Sequence, residues 1–230
     1  MRRTLIAILA ATALATTVLA ADPNSPHPHK GVLKPYGNPP PHVVLSLDEL
    51  GALDKGEPVR KSQKTGENAG YGVSVQNIRA PSDIVWKKIL DFKNYPNYVS
   101  EVSECEPYAN AGDQIYVRFV LAKLGYSLEY FIRHTSRPDQ GYITWTLDYD
   151  RKSDLDDTVG YWLVTPLLTT PPSTRVEYSV QLKVGEVSWV PDFVVHKIED
   201  FAMDSGLVQA TSWVKERSES AAIAANKQAP

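Results

Sequence analysis

The chain has almost no cysteine, no long basic run and no recognisable catalytic signature, and each absence removes a class of function. Cys105 is the only cysteine in 230 residues, so no disulfide forms within the chain and the fold must rest on its core. Past Arg2-Arg3 no cluster of Lys or Arg is dense enough to follow a phosphate backbone, and 24 basic against 27 acidic residues leave a net charge of −3. That balance argues against nucleic acid as a partner. The spacings Gly-x-Ser-x-Gly, His-Glu-x-x-His and Cys-x-x-Cys and the phosphate-binding glycine loop are all missing, so the motifs name no reaction and no cofactor. What is present is ordinary globular composition, 43% hydrophobic, enough for one substantial domain with a tail or linker.

Residues 1–20 read as an export signal. Arg2 and Arg3 form a charged start, an apolar stretch follows from Leu5, and Val18-Leu19-Ala20 places small residues where a signal peptidase requires them. A membrane anchor fits less well, because Thr12, Thr16 and Thr17 interrupt a stretch already short for a hydrocarbon core of ~30 Å. The twin-arginine route lacks its polar residue before the pair, and no Cys follows Ala20 to carry a lipid. The expectation is cleavage after Ala20 and a periplasmic or secreted protein with 22 basic and 27 acidic residues.

The stretch 21–44 is proline-rich. Seven prolines between Ala21 and Pro41 forbid a regular helix and favour extended chain, so the segment is expected as a linker. It holds His27, His29 and His42, but no carboxylate or cysteine stands with them at metal-ligand spacing. Within 45–68, Ser46 precedes a run with Leu at helical spacing, which predicts a short helix and then an extended preface.

From 69 to 215 the periodicity is that of one α+β unit. Tyr71 to Ile78 alternates as a strand, and Pro81-Ser82-Asp83 opens a helix with Ile84, Val85, Ile89 and Leu90 on its apolar face. Pro96 ends a second helical turn begun at Asp91. Strand-like runs follow near 99–109, 114–122, 126–136, 141–149, 157–165 and 175–185, and the short separators between them imply hairpins in an antiparallel sheet. A long helix over 191–215 carries Val190, Val194, Ile198, Phe201, Ser205 and Val208 on one face. Residues 216–230 are expected to fray as a flexible tail.

This order of elements, with Ile78-Arg79-Ala80-Pro81-Ser82-Asp83-Ile84-Val85-Trp86 leading into Leu90-Asp91-Phe92-Lys93-Asn94-Tyr95-Pro96, resembles the START-like superfamily of helix-grip proteins. Its relatives include polyketide cyclase/dehydrases and coenzyme Q-binding proteins, and Trp189-Val190-Pro191 at the start of the last helix is similar as well. The resemblance covers residues 69–215 and implies a curved antiparallel sheet wrapped around a long C-terminal helix, with two short helices after the first strand. It further implies a cavity between sheet and helix for a lipid, sterol, quinone or other hydrophobic molecule, and with such a ligand, transient contact with a membrane. One scaffold serves carriers, cyclases and allergen-type binders, so the resemblance fixes no chemistry.

Alternation along the strands assigns the inward faces. Ile115, Val117 and Phe119 form one set, Ile143, Trp145 and Leu147 a second, Val159, Tyr161 and Leu163 a third, and Val176, Tyr178, Val180 and Leu182 a fourth. Phe119, Tyr130, Trp145, Tyr161, Tyr178 and Phe201 are therefore candidate ligand-binding residues. The plainer reading makes them ordinary core, with tyrosine hydroxyls bonded to backbone. His134 shares the face of Leu128, Tyr130 and Ile132, opposite Arg133, and is the candidate for a ligand hydrogen bond or a general base. Cys105, flanked by Glu104 and Glu106 with no histidine nearby, reads as a structural strand residue. The acidic stretch from Asp148 to Asp157 lacks the glycine and terminal glutamate of a calcium loop and reads as a solvated hairpin near the cavity mouth.

Three functions stay open at this point. The first is an exported binding or carrier protein for a hydrophobic small molecule. The second is a cyclase- or dehydratase-like enzyme using His134, Tyr130 or Tyr178 as acid/base groups. The third is an interaction domain with a filled core and a proline-rich arm for a protein partner. The missing acid/base constellation and the export signal favour the first; oligomeric state has no signature. N-terminal sequencing of the exported protein should read Ala21 first, whereas a start at Met1 or inside the domain would overturn the cleavage site.

Overall fold

The structure, a computed structural model, describes residues 20–66, 68–185, 187 and 189–228. The expected export signal therefore lies outside the described residues, save for Ala20. Eight strands build one sheet: β1 (Val59–Gly66), β2 (Ala69–Ile78), β3 (Val102–Ala111), β4 (Gln114–Lys123), β5 (Tyr126–Arg137), β6 (Tyr142–Leu147), β7 (Leu155–Leu167) and β8 (Ser173–Val184). Their order is β1-β2-β8-β7-β6-β5-β4-β3, with every neighbouring pair antiparallel. From β3 to β8 each strand pairs with the next in sequence, as the short separators predict. The helices are α1 (Leu47–Asp54), α2 (Ser82–Ile89), α3 (Asp192–Met203) and α4 (Ser205–Gln228). α2 and a 3-10 turn over Phe92–Asn97 carry the chain from β2 to the far edge.

The preface expected over 45–68 contains α1 and β1. A reciprocal cap starts α1: the Ser46 hydroxyl accepts the Glu49 N–H at 3.2 Å, and the Glu49 carboxylate accepts the Ser46 N–H at 2.7 Å. β1 is the edge strand, and it is largely exposed with Arg60, Lys61 and Lys64 along it. Such charges discourage another strand from adding to the open edge.

α3 and α4 lie on the inner face of the sheet, the helix-grip arrangement expected. The single helix expected over 191–215 is in fact two, broken at Asp204, whose backbone (φ −132°, ψ −91°) is not helical. The break resets the helical phase. Val194, Ile198 and Phe201 are buried as predicted, but beyond the break Leu207, Ala210, Thr211, Val214 and Ser218 take the buried positions while Ser205 is exposed. The same stripe explains why the residues expected to fray stay helical to Gln228. Ala222 is still buried, and the Glu219 carboxylate accepts the Arg79 N–H at 3.0 Å. Where the two helices meet they cross β2 very closely. A Cβ on Gly72 would lie 2.2 Å from the Met203 carbonyl oxygen, so only glycine permits this crossing.

The outer face of the sheet is covered too. Val73 and Val75 of β2 bury against Leu53 of α1 and Val59. The proline-rich segment 21–44 is extended, as its composition demands, and it is pinned along β6, β7 and β8. Asp157 is completely buried, with one carboxylate oxygen accepting the Val32 and Leu33 N–H groups at 2.7 Å each and the other accepting the Tyr149 hydroxyl at 2.9 Å. Buried Glu177 accepts the Val43 N–H at 2.6 Å and bonds the His42 ring at 2.7 Å. The ring of Tyr36 packs edge-on against Tyr161 at 4.7 Å. The acidic stretch 148–157 is consequently not the solvated hairpin expected. The carboxylates of Asp150, Asp154, Asp156 and Asp157 accept from the strap, that of Asp148 accepts the Tyr108 hydroxyl, and Asp150 alone of the five is exposed. Among the described residues no cluster suited to a metal ion occurs.

Trp86 sits on α2, buried in the inner cluster, where α2 packs against α4. Trp86→Ala should lower the free energy of unfolding in urea by about 3–5 kcal/mol. An unchanged midpoint would mean that this face of α2 looks into solvent.

Candidate functional site

Between the sheet and α3–α4 lies a cavity of about 90 Å³. Large aromatic side chains come from the sheet and the 3-10 turn, and small residues from the helices: Phe119, Tyr130, Trp145, Trp162 and Tyr178 face Ala202, Gly206 and Ala210. The strand register produces this wall. Phe119 and Tyr130 are direct cross-strand partners on β4 and β5 with their rings stacked at 5.4 Å. Trp162 and Tyr178 are partners on β7 and β8, stacked at 4.0 Å.

Six of the seven residues expected from the sequence line this cavity: Phe119, Tyr130, His134, Trp145, Tyr178 and Phe201. Tyr161 does not. It points to the outer face and packs with Tyr142, Leu163 and Tyr36. β7 is apolar on both sides, so alternation alone permits two registers, and the strap, whose Tyr36 packs against Tyr161 and Leu163, leaves no helical or strand signal to decide between them. The inward set is Thr158, Gly160, Trp162 and Val164. Gly160 marks it, since a Cβ there would lie 2.0 Å from the Trp145 ring, which lies across this position. Also missed were Tyr95 and Phe92 from the 3-10 turn, which close one side of the cavity.

The polar groups in this wall are few, and two of them are satisfied by backbone: the Tyr95 hydroxyl donates to the Ile89 carbonyl at 3.1 Å and the Thr158 hydroxyl to the Gln181 carbonyl at 2.9 Å. His134 is buried, and its Nδ1 lies 3.2 Å from the Ile115 carbonyl oxygen. A carbonyl can only accept, so Nδ1 carries the proton and Nε2 is left as an acceptor. Burial holds the imidazole well below its usual range, at about 4, despite that hydrogen bond, so it is neutral at physiological pH. The Trp145 N–H is buried without a partner among the described residues. Tyr130 and Tyr178 hydroxyls bond to no described residue, and burial raises both phenols, so they remain O–H donors. Cys105 is buried on β3, and burial raises its thiol, in keeping with a structural role.

This arrangement offers a largely apolar, aromatic enclosure to which the His134 Nε2, the Trp145 N–H and the Tyr130 and Tyr178 hydroxyls contribute polar groups. It offers little basic power at neutral pH: His134 is oriented by a backbone carbonyl rather than a carboxylate, and its low proton affinity makes it a weak base. For scale, an apolar cavity of about 150 Å³ holds a benzene molecule. A ring therefore enters only with a small outward shift of the wall.

Comparison with known proteins places this geometry. The fold is similar to that of TTHA0849 from Thermus thermophilus, at 18% identity and a TM-score of 0.52 over 71% of this chain and 98% of that one. It is also similar to the Zhui aromatase/cyclase from Streptomyces sp. R1128, at 13% identity and a TM-score of 0.50 over 70% of this chain and 96% of that one. At such identities the likeness is one of fold alone. Among curated proteins none matches the chain. Residues 73–208, more than half of the chain, match the family described as polyketide cyclase/dehydrase and lipid transport, and the protein belongs to that family.

Proposed function

We propose that this protein is an exported binder or carrier of a small, mostly apolar molecule bearing one polar end, held between the sheet and α3–α4. The observation that carries this reading is the company kept by the polar groups: the unpaired Trp145 N–H, the Nε2 of His134 left over by its Nδ1 bond, and the Tyr130 and Tyr178 hydroxyls line a largely apolar aromatic cavity. A buried polar group without a partner costs about 1–3 kcal/mol. A ligand hydroxyl or carbonyl answers that cost, while its apolar body fills the space beside Phe119, Phe201 and Tyr178. The second reading, a cyclase- or dehydratase-like enzyme, draws on His134, Tyr130 and Tyr178 facing one cavity. Weighing against it are the weakly basic imidazole and the absence, among the described residues, of a carboxylate bonded to His134.

Toluene and p-cresol separate these features, because they differ by one hydroxyl. p-Cresol should bind more tightly, by about 0.5–1.5 kcal/mol as read by calorimetry, and His134→Leu or Tyr178→Phe should narrow that preference. Ala210→Leu fills the cavity from the helix side and should weaken both probes by about tenfold or more while leaving a folded protein. Binding of neither probe would reduce the cavity to a packing void, equal affinity for the two would remove the polar anchor, and turnover of a polyketide-like substrate that is lost in His134→Leu would decide for the enzyme.

His134 also makes a pH prediction. Its folded value of about 4 lies below the ordinary 6.5, so the stability of the neutral, buried form is fully present above pH 6.5 and is lost as the pH falls from there through 4. At about 1.4 kcal/mol for each pKa unit the loss approaches about 3 kcal/mol. The stability difference between the parent and His134→Leu should therefore shift toward the variant by that amount between pH 7 and pH 4. A difference independent of pH would show that the imidazole is not desolvated.

A further inference from the structure

The strap begins at a built acceptor. The Ala21 N–H donates to the Asp154 carboxylate at 2.7 Å, and the second oxygen of Asp154 accepts the Glu129 N–H at 2.8 Å. Residue 22 is fixed independently: Asp22 and Lys152 exchange both backbone hydrogen bonds, at 2.9 and 3.0 Å. The Asp22 side chain then closes a turn onto Asn24 and Ser25 at 2.9 and 2.6 Å. The nitrogen of Ala21 is thus held against Asp154 by four contacts that do not involve Ala21 itself. Ala20, on the other side of the same peptide bond, is exposed.

The bond between Ala20 and Ala21 is also the one that the sequence marks for cleavage. Its hydrolysis by a signal peptidase consumes one water, leaving a carboxylate on Ala20 and an ammonium group on Ala21. From these observations we infer that Asp154 is the receptor for the new N-terminus: processing turns an amide hydrogen bond into an ammonium–carboxylate pair that locks the strap to β5 and β7. The pair forms only in the processed chain, so the outer cover of the sheet becomes a readout of maturation. A free amine brings two further donors and a full charge to a site where one N–H stood, and charge-assisted bonds are roughly twice as strong as neutral ones.

The charged groups around this site permit the pairing. Asp154 is partly desolvated, which raises its carboxyl; the Glu129 and Ala21 N–H groups that it accepts lower it, the Glu129 carboxylate raises it, and Lys152 lowers it. Asp22 stands next in the chain, bonded to Ser25 and Asn24. The Glu129 carboxylate is itself paired with Arg118, so an added cation at Ala21 meets Asp154 as the carboxylate without an arginine partner of its own.

The test uses the chain beginning at Ala21, prepared once with a free α-amine and once with that amine acetylated, each in the parent and in Asp154→Asn. In the parent, acetylation should raise the unfolding equilibrium constant about three- to tenfold, and in Asp154→Asn the two forms should unfold alike. The second measurement, which does not depend on the variant folding, is an NMR titration of the α-amine in the parent. Its pKa should stand about one unit above the ordinary 7.7–8.0 of a free terminus. An ordinary or lowered pKa overturns the inference, as does an acetylation effect that is absent in the parent or equally large in Asp154→Asn. Exported protein that begins elsewhere than Ala21 overturns it too. The cavity and its ligand are untouched by any of these results.

Discussion

The constraint on which the rest depends is that the middle of the sheet is apolar on both faces. On β7, Thr158, Gly160, Trp162 and Val164 turn inward while Val159, Tyr161 and Leu163 turn outward, and all seven are buried. A strand of this kind needs a cover on each side. The inner cover is α3–α4. The outer one is assembled from α1 over β2 and an irregular proline-rich strap over β6 to β8. Because a strap without secondary structure leaves its own N–H groups unpaired, the sheet supplies acceptors for them. Asp157 and Glu177 are buried carboxylates whose bonds run to the backbone of Val32, Leu33 and Val43. Proline reduces the number of N–H groups to be satisfied, which is a physical reason for a proline-rich sequence to serve here as a cover rather than only as a spacer.

Much of this was legible in the sequence, and the failures have identifiable causes. The strand runs from 114 to 185 fall within a few residues of β4 to β8, because hairpin punctuation and period-two alternation report directly on an antiparallel sheet. The short helix after Ser46 was equally direct, though the reciprocal bond from Glu49 was not read. Tyr161 falls on the wrong face in the sequence reading because period-two alternation cannot tell inside from outside when both sides are buried. Gly160 carried the missing signal: a glycine in mid-strand between bulky neighbours marks a close approach, here by Trp145. The docking of 21–44 left no periodic trace at all, since its contacts run from backbone N–H groups to carboxylates distant in sequence.

The helix break is the other instructive miss. Val190, Val194, Ile198 and Phe201 predict their face correctly, but extrapolating the same period past Asp204 selects Ser205 and Val208, whereas Leu207, Ala210 and Val214 are the buried set. Asp204 is followed by Ser205 and Gly206, three residues of low helix propensity, and that cluster was the available sign that the period restarts.

The break also bears on why a cavity exists at all. Ala202, Gly206 and Ala210 recur every four residues on the helix side of it, where the flanking positions hold Phe201 and Leu207. Opposite them the sheet does not compensate with longer side chains. It presents flat rings, stacked in pairs, whose edges cannot reach across. Small residues on one wall and rigid ones on the other leave a space that neither can collapse into, and a cavity that persists in this way costs stability in proportion to its size. At Gly206 the smallness has a local reason, since a Cβ would lie 2.9 Å from the Phe201 ring. Ala210, four residues further on, lines the same space. The gap therefore follows from small residues at 202, 206 and 210 set against rings that the strand pairing holds in place.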